Sequence, residues 1–271
     1  MTILRTVSDV RAALAGPRSR GRVGLVPTMG ALHDGHTSLI RAARAECDTV
    51  VVTLFVNPAQ FGDPADLSAY PRDEANDARI AAEAGADFVF APAAEEIYRT
   101  GHATWVDVGG AAEGLEGEYR PGHFRGVATV CLKLFLITAP HRAYFGQKDA
   151  QQVAVVSQMV HDLNVDLEIC VMPIVRAADG LALSSRNARL SADERRRALA
   201  IPRALAAGVA AYNAGNDAVA AARAELCGLD VDYVAIAHFN GHPTLAIAAR
   251  AGRTRLIDNA RLDDQEDAHV R

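Results

Sequence analysis

Two histidines, His33 and His36, stand three positions apart in the segment 27–36, between an apolar run and a helical pattern. The start of a helix offers unpaired backbone N–H groups and the positive end of the helix dipole, and both favour a phosphate. Two imidazoles at this spacing can donate to oxygens of the same phosphoryl group, while Gly30 and Gly35 allow the backbone to approach it closely. The segment therefore predicts a phosphate-binding turn. The alternative, a capped turn with surface histidines, is favoured for a lone histidine but less for His-x-Gly-His.

A second polar segment, residues 145–152, also follows an apolar run and begins a helical pattern. Lys148 would supply a mobile positive charge for phosphate oxygens, and Asp149 could accept hydrogen bonds from ribose hydroxyls. A surface Lys-Asp pair at a helix start is equally common, so this segment alone does not decide between the two interpretations.

A third segment, residues 183–187, places Ser184, Ser185 and Arg186 in a loop. Hydroxyl groups are directional donors, and a guanidinium is a bidentate donor, for the oxygens of a polyphosphate. The same residues also occur in ordinary loops, so by itself this segment indicates a nucleotide only weakly.

A fourth segment, residues 55–61, ends an apolar run and would project from the carboxyl edge of a strand. Its Asn57 and Gln60 are neutral hydrogen-bonding groups that suit hydroxyls and a carboxylate oxygen. The alternative is a strand-ending Asn-Pro turn without a ligand, and on this segment alone that alternative is favoured.

Apolar runs rich in β-branched and aromatic residues alternate with helical patterns over the first two-thirds of the chain. This alternation predicts a Rossmann-like, doubly wound α/β fold with a parallel sheet, in which ligands bind at the carboxyl ends of the strands. The predicted strands are residues 23–26, 50–56, 88–90, 143–145 and 167–171. The predicted helices cover roughly residues 37–46, 72–83, 127–137 and 150–163.

The pattern changes after Val171. Residues 191–194 form a capping-box sequence that predicts a helix start, and an alanine-rich helical stretch continues to about Leu226. Strand-like runs follow at residues 232–237, 244–249 and 254–258. We therefore predict a smaller C-terminal α+β domain and place the domains at residues 1–174 and 175–271.

Composition and charge limit the classes of function. The chain has 271 residues, a net charge of −5 and a pI near 6.0, without a basic stripe, so we expect no nucleic-acid partner. The longest apolar run is of strand length and the N-terminus lacks signal-peptide features, so we expect no membrane partner and a cytoplasmic location. The four cysteines are scattered, with no CxxC pair and no histidine placed for a metal, so we expect no protein-bound metal.

The His-x-Gly-His turn resembles the signature of the HxGH nucleotidyltransferase superfamily, which includes the class I aminoacyl-tRNA synthetases. Further blocks narrow the resemblance to the pantothenate synthetase family, in family order: PTMGALHDGH, FVNPAQF, DLSAYPRD, LEGEYRPGHFRGV, FGQKDAQQ, DGLALSSRN and TRLIDN. They extend from about Val23 to Asn259, so the resemblance covers nearly the whole chain.

This resemblance implies ATP-dependent joining of pantoate to β-alanine through a pantoyl adenylate. It makes His36 the proton donor at the phosphoryl centre, with His33, Lys148 and Arg186 around the developing negative charge. Gln60 and Gln152 would hold pantoate, and Gln60 would also contact β-alanine. The implied ATP site comprises Met29, Gly30, His33, His36, Gly146, Gln147, Lys148, Asp149, Val175, Leu183, Ser184, Ser185 and Arg186. The further candidates near the substrates are Met29, Asn57, Tyr70, Arg120 and His123.

The resemblance also implies Mg²⁺ bound through the phosphates of ATP, a homodimer, and a lid that keeps water from the adenylate. The loop 184–186 and the stretch near Tyr70 are the lid candidates.

Two other functions are compatible with parts of this pattern. One is another HxGH-type nucleotidyltransferase with a small-molecule acceptor, but a phosphate acceptor would require basic residues that residues 55–61 lack. The other is a nucleotide-binding scaffold protein without catalysis, which we would expect to lack one of the histidines or the lysine.

The chain departs from the family pattern in three places. Leu183 replaces the usual methionine, a volume-conserving change. Asn76 stands where an acidic residue is frequent, which leaves Asp77 as the nearby carboxylate and makes a metal-adjacent role for this helix doubtful. The helical part of the second domain looks short, which weakens the expectation of a homodimer.

Overall fold

The structure, a computed structural model, describes residues 1–263. Packing divides the chain into two compact units: the first contains Met1–Gln147 and Gln151–Met172, and the second contains Lys148–Ala150 and the chain from Pro173. The sequence placed a domain boundary after residue 174 and did not anticipate that Lys148–Ala150 would group with the later residues. The division into two domains at that boundary stays a prediction.

A six-stranded sheet, parallel throughout, forms the centre of the first unit within the described residues. Its strands are β1 (Thr2–Leu4), β2 (Val23–Val26), β3 (Thr49–Thr53), β4 (Phe88–Phe90), β5 (Arg142–Gly146) and β6 (Glu168–Met172), in the order β1-β4-β3-β2-β5-β6. The chain moves from β2 outward to β3 and β4, and then returns to the other side of β2 as β5. The carboxyl ends of β2 and β5 therefore flank the point where the strand order reverses, the usual ligand crevice of such sheets.

Helices cover both faces of this sheet, because neighbouring strand residues point to opposite sides and both are apolar. Val26 and Val52 pack with Ile40 against one face, whereas Leu25 and Val51 belong to the core of the other. This arrangement confirms the predicted doubly wound α/β fold. The helices are α1 (Val7–Arg20), α2 (Asp34–Glu46), α3 (Pro64–Ser68), α4 (Glu74–Ala84), α5 (Ala94–Ile97), α6 (Leu115–Tyr119), α7 (His123–Thr138) and α8 (Ala150–Asp162).

The second unit packs helices on an antiparallel sheet of order β7-β8-β9. Its elements are α9 (Ala192–Ala198), α10 (Ala200–Asn213), α11 (Ala218–Glu225), β7 (Asp230–Phe239), β8 (His242–Ala251) and β9 (Thr254–Arg261). Leu245 and Ile247 of β8 share a core with Ile201 and Leu205 of α10. Gly208 allows this close packing, since a Cβ there would lie 2.3 Å from Leu245. The unit confirms the predicted smaller α+β part. No helix in residues 1–263 is long and apolar enough to cross a membrane.

Candidate active site

The turn after β2 is fastened to β3 by two threonines. Thr28 N donates to Thr53 Oγ1 at 3.0 Å, and Thr53 Oγ1 donates to Thr28 O at 3.2 Å. In the same turn Gly30 has a φ of +86°, and a Cβ there would lie 2.9 Å from Asp77 Oδ2. Glycine satisfies both the positive φ and the close approach, so Gly30 sets the path of the chain toward the histidines.

The Asp77 carboxylate of α4 clamps this turn from the side. Its Oδ2 accepts from Ala31 N at 2.9 Å and its Oδ1 accepts from Leu32 N at 2.8 Å, with the residue only 3% exposed. Both oxygens are therefore engaged by backbone donors. Asn76 is exposed and its Oδ1 accepts from Arg79 at 2.8 Å. Within residues 1–263 no three His, Cys, Asp or Glu side chains are grouped so as to hold a metal ion.

His33 and His36 cap the first turn of α2 reciprocally. His33 Nδ1 accepts from Gly35 N at 3.1 Å, and His36 Nδ1 accepts from His33 N at 3.3 Å. The two ring centroids are 4.1 Å apart. A ring nitrogen that accepts from a backbone N–H carries no proton, so each neutral ring carries its proton on Nε2. The capped turn and the phosphate-binding turn, which the sequence treated as alternatives, are thus compatible, because the cap sets both imidazoles to donate from Nε2 beside the positive end of α2.

Asn57 begins a short 3-10 helix after β3 and is 1% exposed. Its Nδ2 donates to Gln60 Oε1 at 2.9 Å and to Gly126 O at 3.1 Å. Its Oδ1 accepts from Ala59 N at 3.2 Å and from the Tyr98 hydroxyl at 2.8 Å. Burial raises the pKa of the Tyr98 phenol, so this hydroxyl stays protonated and donates. All four hydrogen-bonding positions of the Asn57 amide are therefore satisfied.

These bonds fix the orientation of the Gln60 amide. Because Gln60 Oε1 accepts from Asn57, its Nε2 faces the other way and lies 3.2 Å from Met29 Sδ. Gln60 is thereby set to present N–H donors. Asn57 thereby orients Gln60, and the substrate contact of Asn57 stays a prediction. Tyr98 was not singled out from the sequence, since it is 41 positions from its partner and no local pattern indicates the pair.

The amino end of α7 supports the same turn. Gly126 packs so closely that a Cβ there would lie 2.3 Å from Ala59 O. His123 Nδ1 lies 3.0 Å from Gln60 O, and His123 Nε2 lies 3.1 Å from Arg120 Nη1. A carbonyl only accepts and a guanidinium only donates, so His123 carries its proton on Nδ1. The predicted candidates Arg120 and His123 are thus linked to the backbone of Gln60.

Tyr70, a predicted substrate and lid residue, is buried next to the turn after β2. Its ring meets that of Phe61 edge-on, with 5.9 Å between the centroids, and its hydroxyl lies 3.4 Å from Gly30 O. The structure therefore brings Tyr70 near Gly30, while its role as part of a lid stays a prediction.

The two glutamines at the start of α8 have different surroundings. Gln151 is buried, and its Oε1 accepts from Glu116 N at 3.0 Å. Its Nε2 lies 3.1 Å, 3.1 Å and 3.2 Å from the carbonyl oxygens of Ala111, Glu113 and Gly114. Gln152 is partly exposed, and its amide makes no hydrogen bond to another residue in the part of the chain that is described. Gln151 therefore organises the backbone of residues 111–116, and the pantoate contact of Gln152 stays a prediction. Gly146 and Gln147 precede the two glutamines at the end of β5.

In the second unit, residues 175–183 form a small hairpin. Leu183 N donates to Val175 O at 2.9 Å, and Ala177 N donates to Leu181 O at 2.9 Å. At its open end Ser184 caps a 3-10 helix (Ser185–Arg189), since Ser184 Oγ accepts from Arg186 N at 3.2 Å. Lys148 belongs to this unit too, and its Nζ lies 3.4 Å from Asp149 Oδ1. The predicted Val175 and the Leu183–Arg186 side chains are thus brought together on one hairpin.

A family model described as pantoate-beta-alanine ligase matches residues 2–261. The chain belongs to the pantoate-β-alanine ligase family. A pantothenate synthetase of Moorella thermoacetica is 50% identical over 280 residues, covering 97% of this chain and 99% of its own. One from Roseiflexus castenholzii is 51% identical over 279 residues, covering 97% and 100% of the two chains. The resemblance predicted from the sequence is confirmed.

Solved structures of the family agree with this fold. Pantothenate synthetase from Thermus thermophilus has a TM-score of 0.91 at 44% identity and covers 97% of this chain and 99% of its own. Pantoate-β-alanine ligase from Francisella tularensis, complexed with β-γ ATP and β-alanine, has a TM-score of 0.84 at 34% identity and covers 97% and 98% of the two chains. Both parts of the fold therefore recur in this family.

Proposed function

We propose that this chain is an enzyme that condenses pantoate with β-alanine, using ATP and releasing AMP and pyrophosphate. Membership of the pantoate-β-alanine ligase family supports this proposal. The observation that carries the chemistry is the reciprocal cap of His33 and His36, which fixes two Nε2–H donors at the positive end of α2.

The first step activates the pantoate carboxylate, since an amine cannot displace an oxide ion at neutral pH. A carboxylate oxygen attacks the α-phosphorus of ATP, the bond from that phosphorus to the bridging oxygen breaks, and pyrophosphate leaves with the electron pair. His36 donates to the phosphoryl centre, and His33, Lys148 and Arg186 stabilise the added negative charge. Catalysis of this step depends on positioning and charge rather than on covalent chemistry by the protein.

The second step uses the activated acyl group. The amine of β-alanine attacks the carbonyl carbon of pantoyl adenylate, the bond to the AMP oxygen breaks, and the amine loses a proton as the amide forms. Gln60 and Gln152 hold pantoate through their amides, and Gln60 also contacts β-alanine. Asn57 and the Tyr98 hydroxyl support this step by keeping the Gln60 N–H groups in place.

The remaining groups of the proposed ATP site lie in the turn after β2, at the end of β5 and on the hairpin of the second unit. Val175 would bind adenine through its backbone. Mg²⁺ would be held by the phosphates of ATP, which fits the engagement of both Asp77 oxygens by backbone donors. The remaining residues of the proposed ATP site are Met29, Gly30, Gly146, Gln147, Asp149, Leu183, Ser184 and Ser185.

The proposal also includes a cytoplasmic location and a homodimer. All four cysteines lie among the described residues and are unpaired thiols, which suits a reducing compartment. Light scattering after size-exclusion chromatography tests the dimer: a mass of twice 28.8 kDa is expected, and a monomer at micromolar concentration contradicts it.

The reaction itself is tested by omitting each substrate in turn. We expect pyrophosphate release from ATP to require pantoate, and AMP release to require β-alanine in addition. Pyrophosphate release that is independent of pantoate, or that requires a phosphorylated acceptor instead, contradicts the proposed function and favours another nucleotidyltransferase of the superfamily.

A further inference from the structure

The late TRLIDN segment contains two adjacent buried polar residues, Asp258 and Asn259, each 3% exposed. Successive side chains of a strand point to opposite sides, so the two residues reach different neighbours. Burying an ionised carboxylate or an amide is costly unless its hydrogen bonds are satisfied, so these partners account for the burial.

Asp258 is bound to the guanidinium of Arg176. Arg176 Nη1 donates to Asp258 Oδ2 at 2.6 Å, and Nη2 donates to Asp258 Oδ1 at 3.2 Å. Arg176 Nη1 also donates to Gly180 O at 3.2 Å, at the tip of the hairpin. Arg176 pairs with Ala182 in that hairpin, which leads directly into Ser184. The ion pair therefore anchors the hairpin to β9.

Asn259 is bound to the lysine segment. Its Nδ2 donates to Lys148 O at 2.9 Å. Lys148 follows β5 in the chain, yet Lys148–Ala150 group with the second unit. This bond holds the main chain from which the lysine side chain projects.

We propose that Asp258 and Asn259 are positioning residues for the ATP phosphates. Asp258 acts through Arg176 on the hairpin that carries Ser184–Arg186, and Asn259 acts on Lys148. Two neighbouring residues of one strand thereby set the relative places of a lysine and an arginine from distant parts of the sequence. This inference rests on the proposed function, which assigns Lys148 and Arg186 to the phosphates.

A double-mutant cycle tests the link from Asn259 to Lys148. The variants are Asn259→Ala, Lys148→Ala and the pair, and the readouts are pantoate-dependent exchange of pyrophosphate into ATP and the Kd of α,β-methylene ATP. In the wild-type background, we expect Asn259→Ala to lower the exchange rate and the affinity for α,β-methylene ATP by about tenfold each. When Lys148 is already alanine, the same change should lower each by less than about twofold, because residues that act as a unit are not additive. Equal losses in both backgrounds overturn this part of the proposal.

A matched pair of carboxylates tests Asp258. Asp232 of β7 forms the control, since it is another ion-paired carboxylate of the same sheet, 2.5 Å from Arg255 at the start of β9, with side-chain exposures of 9% and 15%. We expect Asp258→Asn to raise the KM for ATP by about tenfold and leave the KM for pantoate unchanged, and Asp232→Asn to lower thermal stability without raising the KM for ATP. A KM for ATP that rises equally in both variants, or in neither, overturns the role of Asp258.

Hydrogen exchange separates failure of this inference from failure of the proposed function. In Asp258→Asn, amides of residues 180–187 should exchange faster, while those of β7 and β8 keep the wild-type rate; this measurement needs no substrate. A wild-type protein without pantoate-dependent exchange overturns the proposed function, whereas unchanged amide exchange at residues 180–187 overturns the positioning role.

Discussion

The two regions that carry the predicted chemistry are held in different ways. In the first unit, the histidine turn is fastened by Thr53 of β3 and Asp77 of α4. The neighbouring Asn57 turn is fastened by Tyr98 and by Gly126 of α7. In the second unit, the hairpin and the lysine segment depend on adjacent residues of β9. Several elements thus support the groups of the first unit, so loss of one side chain there should remove its chemistry and leave its neighbours in place.

The largest effect is expected for His36→Ala. Turnover should fall by about 10²–10³-fold, the scale for one donor to a transition state, while the fold is retained. Steady-state kinetics and circular dichroism measure the two quantities. His161→Ala is the control, because His161 is exposed on α8. A folded His36→Ala variant with near wild-type turnover would refute the donor role of His36. The phosphate chemistry would then depend on Lys148 and Arg186 of the second unit.

Asp77→Ala tests how far the histidine turn depends on one clamp. The free energy of unfolding should fall by about 3 kcal/mol, because two backbone N–H groups lose a buried acceptor. Urea denaturation gives this value. Asp73, which caps the amino end of the same helix from an exposed position, gives the comparison. Its replacement, Asp73→Ala, should lower the free energy of unfolding by about 1 kcal/mol. If the two variants lose equal stability, the Asp77 clamp has no special importance and the contrast between the regions weakens.

Gln60→Ala should weaken the use of pantoate selectively. The KM for pantoate should rise by about 10–100-fold, the range for a hydrogen bond to a charged group, with ATP affinity unchanged. Steady-state kinetics with each substrate varied give the KM for pantoate, and titration with α,β-methylene ATP gives the nucleotide affinity. Gln158→Ala, on the exposed face of α8, is the control. Equal loss for pantoate and ATP would mean that Gln60 is a structural residue.

The smallest effect is expected for Tyr98→Phe. The KM for pantoate should rise by about threefold to tenfold, since one neutral hydrogen bond is lost and Asn57 Oδ1 keeps the N–H of Ala59. Tyr212→Phe, at an exposed position, is the control. An unchanged KM for pantoate in a folded Tyr98→Phe variant would show that Asn57 orients Gln60 without the hydrogen bond from the Tyr98 hydroxyl.

The sequence predicted the central strands well because their short runs are continuously apolar and largely buried on both faces, as at Val23–Val26 and Phe88–Phe90. It missed β1, which lies at the sheet edge with two of its three residues exposed, and α1, which buries only Val10 and Leu14 and contains a proline. Strand β3 was predicted too long. It ends at Thr53, whose register partner Phe90 is the last residue of β4, so no paired strand continues beside residues 54–56 on that side.

The alanine-rich stretch was predicted as one helical run and is divided into α9, α10 and α11. Pro202 lies in the first turn of α10 and lacks the N–H that would continue the preceding helix. A second break at residues 214–217 contains Gly215, whose φ is +74°. High helix propensity in alanine does not reveal such breaks, whereas the proline and glycine do.

The sequence by itself determined the family, the doubly wound fold and the residue types of the proposed chemistry, since spacing along the chain preserves local patterns such as the His-x-Gly-His turn. Only the tertiary structure decided how these groups are oriented. The tautomers of His33 and His36, the side from which Gln60 donates, and the separate surroundings of Gln151 and Gln152 all depend on which atoms meet. Hydrogen-bond partners far apart in sequence, such as Tyr98 with Asn57 and Asn259 with Lys148, are fixed by packing and leave no local pattern in the chain.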